Sequence, residues 1–293
     1  MDWPKLQERL RPFISKKKLK IYAVTGITVS LGFFIIFGIY FFFLLSTVPK
    51  LEGMSFSHLK LLTQNKIMQK WGIEFQEWIP LYEVNREFLY AIVASEDSTF
   101  FGHTGINFYS IRNALKENIR QGKYMRGGST ISQQVVKNVF LSNEKTIKRK
   151  IKEAIITKSL EKTFSKEQIL EIYINLAEFG PNIIGVKSAS RHYFNIEPSE
   201  INAPQGVFIS LMLPSPKRNY EKIYENGRLS DLQKFKIQRT LKDMLYHKWI
   251  SETQFAEYQD YEYLSDLSYL PKTIDKGEDD FFKSLDKTLQ RFR

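Results

Sequence analysis

Three short segments of the chain combine acidic, basic and glycine residues at spacings that could support catalysis. The first, SEDSTFFGHTG, places Glu96 and Asp97 between an apolar stretch and the pair Phe100-Phe101. A carboxylate in apolar surroundings has a raised pKa, which makes it a usable general acid or base near neutral pH. The simpler alternative is a solvated helix C-terminus, although two acids there would oppose the helix dipole.

The second segment, RGGSTISQQVVKN at residues 126–138, has two glycines directly before a predicted helix start. Free backbone N–H groups at such a start form a ready site for an anion. Thr130, Gln134 and Lys137 lie at positions i, i+4 and i+7, so they share one face of that helix. This polar face is equally typical of an ordinary solvated helix surface. A Walker loop is excluded because no Gly-Lys-Ser/Thr follows at the required spacing.

The third segment, residues 145–162, concentrates lysine and arginine near its N-terminal end. Arg149 and Glu153 are four residues apart and therefore lie on one face of the predicted helix. On a solvated surface this ion pair would contribute only roughly 0.3–0.5 kcal/mol. The functional alternative is a cationic cradle for a diphosphate, with Glu153 directed into the same cleft.

Together with a fourth segment, these motifs follow one family pattern in order. The chain contains Glu-Asp-x-x-Phe-x-x-His-x-Gly at 96–105, Gly-Gly-Ser-Thr-Ile-x-Gln-Gln at 127–134, Arg-Lys-x-x-Glu at 149–153 and Lys-x-x-Ile-Leu-Glu-x-Tyr-x-Asn at 166–175. This order resembles the peptidoglycan glycosyltransferase family over about residues 78–220. The stretch NLAEFGPNIIGVKSASRHYF is most similar to the monofunctional branch, the biosynthetic peptidoglycan transglycosylases.

The resemblance implies a mainly α, lysozyme-like, two-lobed glycosyltransferase domain that polymerises lipid II. Glu96 would be the general base that takes the proton from the 4-hydroxyl of the acceptor sugar. The acceptor oxygen would attack the anomeric carbon of the lipid-linked donor glycan with inversion, and polyprenyl diphosphate would leave. Glu153 would be the second essential carboxylate and would assist on the donor side.

The same resemblance assigns the other site residues. Lys137, Arg149 and Lys150 would hold the diphosphate, where negative charge develops on the leaving group. A divalent cation, Mg or Mn, could accompany the diphosphate, and no organic cofactor is implied. The residues that would shape the substrate-binding cleft are Asp97, Phe100, His103, Ser129, Thr130 and Gln134. One departure is Gln205-Gly206, where the family usually has Glu-Ala; it puts only the local helix geometry in question.

The elements expected to position these residues are helices, because alternating apolar and polar strand patterns are scarce. Asn85 is a favourable N-cap for a helix that runs into Glu96. Thr130 with Gln133, and Ser165 with Gln168, have the spacing of capping boxes. A further helix is expected to begin near Thr146.

Two more expectations concern the ends of elements and the surface. Gly180-Pro181 is predicted to end the helix that starts after Ser165. Ile111, Leu115 and Ile119 recur every four residues in an amphipathic segment, 106–125, which could enter the membrane interface. Residues past Tyr220 are predicted to form helices with charged surfaces and no chemistry.

The stretch from Ile21 to Val48 contains no charged residue and is long enough to cross a hydrocarbon core of about 30 Å. A cleaved signal peptide normally has a shorter apolar region that ends in small residues, and a buried core helix rarely needs so long an uncharged run. Lysines at 16–18 and 20 precede the stretch, so the positive-inside rule places residues 1–20 in the cytoplasm. We therefore expect a single-pass protein of the inner (plasma) membrane, with its catalytic part periplasmic or extracytoplasmic.

The expected organisation has five parts. They are a basic cytoplasmic tail at 1–20, a transmembrane helix at 21–48, a membrane-proximal connector at 49–77, a glycosyltransferase domain at 78–240 and a C-terminal helical extension at 241–293.

The net charge of +11 implies an anionic partner, which could be nucleic acid, anionic lipid or a phosphorylated substrate. The chain has no cysteine, which excludes disulfides and thiolate metal sites, and its four histidines are not at metal-ligand spacing. The expected partners are lipid II, the lipid-linked glycan chain, the membrane and other cell-wall synthases. No nucleic acid is expected, because the catalytic part lies outside the cytoplasm.

Three alternatives remain beside this hypothesis. A lytic, glycan-cleaving enzyme with a lysozyme-like site also uses a key glutamate, but it would not need the cationic helix at 145–152. A cell-wall scaffold without activity would not need both Glu96 and Glu153. A membrane-tethered nucleic-acid binder would show tight, salt-sensitive binding to DNA.

Overall fold

The structure is a computed structural model that describes residues 16–73, 77–122, 127–142, 144–226 and 229–259. It divides into two compact units, residues 1–49 and residues 50–293. The predicted tail up to residue 15 and most of the predicted C-terminal extension, residues 260–293, lie outside the described residues.

The first unit contains one long helix, α1 (Lys16–Ser46). Within it, Lys20–Ser46 is long and apolar enough to cross a membrane, and most of its side chains have no protein around them. No other helix of the described residues meets that test. Exposed phenylalanines, leucines and isoleucines along an isolated helix are unfavourable in water, so the lipid-facing interpretation is the consistent one.

The second unit is built from helices, as the sequence predicts. Its α-helices in the described residues are α2 (Phe56–Trp71), α3 (Arg86–Asp97), α4 (Phe108–Gln121), α5 (Ile131–Phe140), α6 (Ile147–Thr163), α7 (Lys166–Leu176), α8 (Gly185–Phe194), α9 (Ala203–Ser210), α10 (Pro216–Asn226), α11 (Asp231–Tyr246) and α12 (Glu252–Gln259). Short 3-10 turns occur at Leu81–Glu83, Phe100–Gly102 and Pro198–Glu200. The mainly helical, lysozyme-like fold class is thereby confirmed.

The predicted helix starts are correct because each depends on a side chain next to the backbone that it caps. Asn85 accepts a hydrogen bond from the N–H of Glu87 at the start of α3. Thr130 and Gln133 form a complete capping box on α5, and Ser165 and Gln168 form another on α7. Such caps satisfy N–H groups that have no partner within the helix.

The predicted end of α7 is wrong by a few residues. The helix ends at Leu176, and the chain then forms a short antiparallel hairpin of β1 (Glu178–Gly180) and β2 (Ile183–Ile184). Gly180 allows the tight approach in this hairpin, because a side chain there would overlap the Ile183 side chain at 2.7 Å. The Gly-Pro signal therefore marks the turn of the hairpin and not the end of the helix.

Helix α3 is the centre of the second unit, because it packs against α9 and α11 and carries Glu96 near its end. Helix α9 approaches it closely at Gly206, where an added Cβ would lie 3.0 Å from the Cα of Phe88. Gln205 completes a capping box with Asn202. With Gln205-Gly206 in place of the family's usual Glu-Ala, α9 is therefore still a regular, capped helix that packs tightly on α3.

Candidate functional site

A cavity of about 330 Å³ opens beside the C-terminal end of α3. Its volume lies in the range of sites for small molecules. Helices α3, α5, α6 and α11 contribute most of its walls, and α4 contributes Ser110. Of the predicted site residues, those that line the cavity are Glu96, Asp97, Ser129, Thr130, Gln134, Lys137, Arg149, Lys150 and Glu153.

Glu96 is partly exposed to this cavity, but protein atoms pack closely around its carboxyl group. Burial raises the pKa of Glu96 above its ordinary value, and a hydrogen bond from Gln134 Nε2 to Glu96 Oε2 (2.8 Å) partly offsets that effect. A carboxylate that is more basic than usual is a better acceptor for the proton of a hydroxyl group. The geometry therefore suits Glu96 for the role of a general base.

Glu153 is buried and lies between two cations of its own helix. Its carboxylate pairs with the guanidinium of Arg149 (2.5 Å) and with the ammonium of Lys150. Lys150 also reaches the hydroxyl of Ser129, in the loop before α5, at 3.5 Å. A buried carboxylate needs such partners to remain charged. The i, i+4 spacing that could have been a surface ion pair is thus part of a buried cluster.

Lys137 completes the cationic side of the cavity. It lies on α5, is exposed, and has no hydrogen bond or ion pair with any other described residue. It is therefore available to an anionic ligand. Together, Lys137, Arg149 and Lys150 provide three positive charges and Glu153 one negative charge, so a diphosphate would meet a net positive surface.

Asp97 and His103 form a rigid support next to Glu96. The imidazole Nε2 of His103 donates to Asp97 Oδ2 (2.9 Å), while its Nδ1 accepts from the N–H of Gly105 (3.1 Å). Asp97 Oδ2 also accepts from the N–H of Ile131, the first residue of α5. The backbone of Gly105 accepts from Thr130 Oγ1 (2.6 Å). These bonds fix the end of α3 to the start of α5.

Phe100 and His103, which the resemblance groups with the residues that shape the cleft, do not line the cavity. Phe100 is fully buried, and the ammonium of Lys166 lies 4.3 Å from the centre of its ring. His103 is connected to the cavity residues Asp97 and Thr130, to Thr130 through Gly105. Both residues therefore pack behind the residues that line the cavity.

Glu161 of α6 does not line the cavity but connects three helices. Its side chain is only 7% exposed, and it pairs with Lys166 (2.7 Å) and accepts a hydrogen bond from Ser132. The three residues belong to α5, α6 and α7. The helical pattern places Glu161 two turns from Glu153 but cannot show which other helices cover it.

The sequence analysis missed three residues of α11. Lys236, Arg239 and Thr240 line the cavity, contrary to the prediction that nothing past Tyr220 bears on chemistry. Burial raises the pKa of Glu96, and the charges of Lys236 and Arg239 partly offset that rise. No local signal distinguishes them, because α11 has further lysines, such as Lys234, that do not line the cavity.

No group of three or more histidine, aspartate or glutamate side chains in the described residues is arranged to hold a metal ion. The two cavity carboxylates outside the Asp97–His103 support are Glu96 and Glu153, and Glu153 is already paired with cations. A divalent cation would therefore have to take most of its ligands from a bound diphosphate. The carboxylate of Glu153 is the protein group that could supply an oxygen ligand.

Comparison with known proteins agrees with the motif pattern. The Transglycosylase family model matches residues 64–244. Three similar proteins are each named biosynthetic peptidoglycan transglycosylase. The one from Nitrosospira multiformis is 44% identical over 140 residues, which cover 48% of this chain and 61% of the relative. The one from Acinetobacter baylyi is 40% identical over 171 residues (58% of this chain, 74% of the relative), and the one from Aromatoleum aromaticum is 35% identical over 195 residues (66% of this chain, 84% of the relative). The chain thus spans about 61% of the length of the first of these relatives. By the extent of the family match and the identity to these relatives, the chain belongs to the Transglycosylase family.

Proposed function

We propose that this protein is a glycosyltransferase that polymerises peptidoglycan from lipid II. The observation that carries the proposal is the presence of Glu96 and of the Lys137, Arg149, Lys150 and Glu153 cluster around one cavity. A glycosyl transfer with a diphosphate leaving group needs a base for the acceptor hydroxyl and positive charge for the departing phosphate. Family membership and the names of the relatives support the same reaction.

In the proposed reaction Glu96 removes the proton from the 4-hydroxyl of the acceptor lipid II. The oxygen attacks the anomeric carbon of the lipid-linked glycan, and the bond to the diphosphate breaks on the opposite face of the sugar. Lys137, Arg149 and Lys150 stabilise the negative charge of the polyprenyl diphosphate that leaves. Glu153 holds Arg149 and Lys150 in place and assists on the donor side, where a divalent cation could bind with the diphosphate.

The proposed location follows from the substrate. A lipid-linked donor is confined to the membrane, and α1 would keep the enzyme there. The lysines at 16–18 and 20, at the N-terminal end of α1, support a cytoplasmic N-terminus and a catalytic unit on the other side of the inner membrane. Other cell-wall synthases are proposed partners, since they would use lipid-linked precursor at the same membrane. Nucleic acid is not a proposed partner.

The test is to incubate the full chain in detergent with lipid-linked disaccharide precursor and to separate glycan products on a gel. A ladder of polymer that Glu96→Gln abolishes is the expected result. A parallel sample with preformed glycan strands separates polymerisation from cleavage. Shortening of those strands, without polymer from the precursor, would favour a lytic enzyme, and no change in either sample would favour a scaffold.

A further inference from the structure

Lys236 is a cavity residue that the proposed diphosphate cradle does not use. It lies on α11, which packs directly against α3, whereas the three cradle cations belong to α5 and α6. Its side chain is half-buried, and it has no hydrogen bond or ion pair with any other described residue. An ammonium group that is partly removed from water and left without a direct partner is costly, so its presence in the cavity requires a reason.

The surroundings of Glu96 suggest that reason. Among the groups that face its carboxyl, Asp97 raises the pKa of Glu96, as burial does, and Gln134 lowers it by hydrogen bonding. Among the described residues, the positive charges that oppose the effect of burial on this pKa are Lys236 and Arg239, both from α11. Tyr173 on α7 is also close, and burial, followed by the charge of Glu96, raises the pKa of its hydroxyl.

Helix α5 also packs against α3 and its Lys137 lines the same cavity, but the charges that shift the pKa of Glu96 are those of Asp97, Lys236 and Arg239. Helix α9, which packs against both α3 and α11, contains no charged residue. Helix α12 packs against α11 and carries Glu252 and Glu257, but neither lines the cavity. The protonation state of Glu96 therefore depends on two opposing sets of effects. Burial and Asp97 favour the neutral acid, whereas Gln134 and the cations of α11 favour the carboxylate.

We infer that Lys236 is a positioning residue for the reaction, which keeps Glu96 in its carboxylate form through charge without forming a bond to it. A base must be ionised before it can accept a proton, and the closed surroundings of Glu96 favour the neutral acid. A positive charge on the same cavity wall shifts the balance toward the carboxylate, and the low local dielectric strengthens that interaction. This inference rests on the proposed role of Glu96 as the base.

Lys236 suits this task better than Arg239. Arg239 is near Asp243 of its own helix (3.8 Å), so part of its charge is compensated. Burial lowers the pKa of Lys236, and the charge of Glu96 acts in the opposite direction. The two groups thus favour each other's charged form. The competing explanation is that Lys236 binds an anionic part of a substrate, and the experiment separates the two.

The experiment compares Lys236→Met, Lys236→Arg and wild type by the pH dependence of kcat/KM with lipid-linked precursor. Met keeps an unbranched apolar stem that reaches the ε position of Lys, and it removes the ammonium group with its charge. The acidic limb of the profile should move to higher pH in Lys236→Met. When kcat/KM of each protein is divided by its value on its alkaline plateau, the ratio on the acidic limb should be about 3–10-fold lower in Lys236→Met than in wild type. KM should stay unchanged, and Lys236→Arg should restore the wild-type limb.

Lys234→Met is the matched control, because Lys234 is an exposed lysine of α11 that does not line the cavity. It should leave the profile as in wild type. Melting temperatures establish that each variant is folded, and Lys236→Gln replaces Lys236→Met if the latter is not. An unchanged acidic limb in a folded variant overturns the inference, and a raised KM with that limb unchanged assigns Lys236 to substrate binding instead.

A second measurement does not depend on turnover. The carboxyl ¹³C signals of glutamate are titrated by NMR, and Glu96→Gln identifies the signal of Glu96. That signal should titrate at higher pH in Lys236→Met than in wild type. If wild type makes no polymer, the proposed function fails, whereas this titration still decides whether Lys236 acts on Glu96. Equal titration in both proteins rejects the inference even if wild type polymerises normally.

Discussion

Gln134 donates a hydrogen bond from its Nε2 to Oε2 of Glu96 over 2.8 Å, and this bond connects helix α5 to the candidate base on α3. The Oε1 of the same amide lies 3.5 Å from the hydroxyl of Tyr173, a buried residue of α7. The donor end of the amide thus faces a carboxylate and the acceptor end faces a hydroxyl. Three helices therefore determine where the carboxyl group of Glu96 lies.

Replacing Glu96 by Gln should abolish most polymerisation while keeping the fold. The substitution retains size and hydrogen-bonding groups but removes basicity, and general-base catalysis is worth about 10²–10⁴-fold. The measurement is the rate of polymer formation from lipid-linked precursor. A folded Glu96→Gln protein with a normal rate would remove Glu96 as the base.

The same variant should be at least as stable as wild type at neutral pH. Because the folded-state pKa of Glu96 is raised, its carboxylate costs stability above that pKa, and this cost disappears as pH falls and the group is protonated. The melting temperature of Glu96→Gln should therefore equal or exceed that of wild type at pH 7–8. The difference should shrink in acid. A clear loss of stability at neutral pH would show that the carboxylate is a structural group.

Replacing Gln134 by Leu should weaken catalysis through Glu96. The charged hydrogen bond is worth about 1.5–3 kcal/mol, so the rate at neutral pH should fall about 10–100-fold. Loss of the donor also favours the neutral acid, so the acidic limb of the rate profile should move to higher pH. The rate profile of Gln134→Glu, which adds a like charge beside Glu96, should move further in the same direction. A fall in rate with no change in the limb would mean that Gln134 contacts substrate and does not tune Glu96.

The cradle cations should differ in their effect on stability. Lys137→Ala removes an exposed, unpaired cation and should lower turnover at least about tenfold with an unchanged melting temperature. Arg149→Ala should lower both, because it removes one of the two partners of buried Glu153. Glu153→Gln should also be severely impaired in turnover.

Lys148→Ala is the control for these variants, since Lys148 is exposed on α6 and does not line the cavity. Its turnover and melting temperature should match wild type. Wild-type rates for both Lys137→Ala and Arg149→Ala would show that the diphosphate binds elsewhere.

Glu161 should prove to be a structural residue. Its side chain joins Lys166 of α7 to Ser132 of α5, and removing one partner of a buried pair costs about 3 kcal/mol. Glu161→Ala should therefore lower the free energy of unfolding by about that amount, as measured by denaturant titration. Glu167→Ala, at an exposed glutamate of α7, should change it little. Equal stability of the two variants would contradict the role of this ion pair.

A reporter fused after Arg293 should be active only outside the cytoplasm if the lysines at the N-terminal end of α1 set the orientation. Removal of residues 1–48 should leave a folded catalytic unit, because residues 50–293 form a compact unit of their own. The shortened protein should be less efficient on precursor embedded in vesicles, as measured by polymer yield. Cytoplasmic reporter activity would reverse the proposed orientation.

The sequence alone determined those features that depend on neighbouring residues. Helix starts at Asn85, Thr130 and Ser165 could be predicted because a cap and the N–H group that it satisfies are two or three residues apart. The long apolar helix α1, a candidate membrane span, could be predicted from an uninterrupted apolar run. The family motifs likewise lie within short segments, so their order was visible without a fold.

Only the tertiary structure decided which residues meet across elements. Lys236 has the same local appearance as Lys234, yet packing of α11 on α3 brings one of them into the cavity with Glu96 and leaves the other outside. The burial of Glu161 could not be predicted, because helical spacing does not show which neighbours cover a face. Phe100 belongs to the glutamate motif but lies in the core. The physical reason is that burial and long-range charge depend on helix packing, which local patterns do not contain.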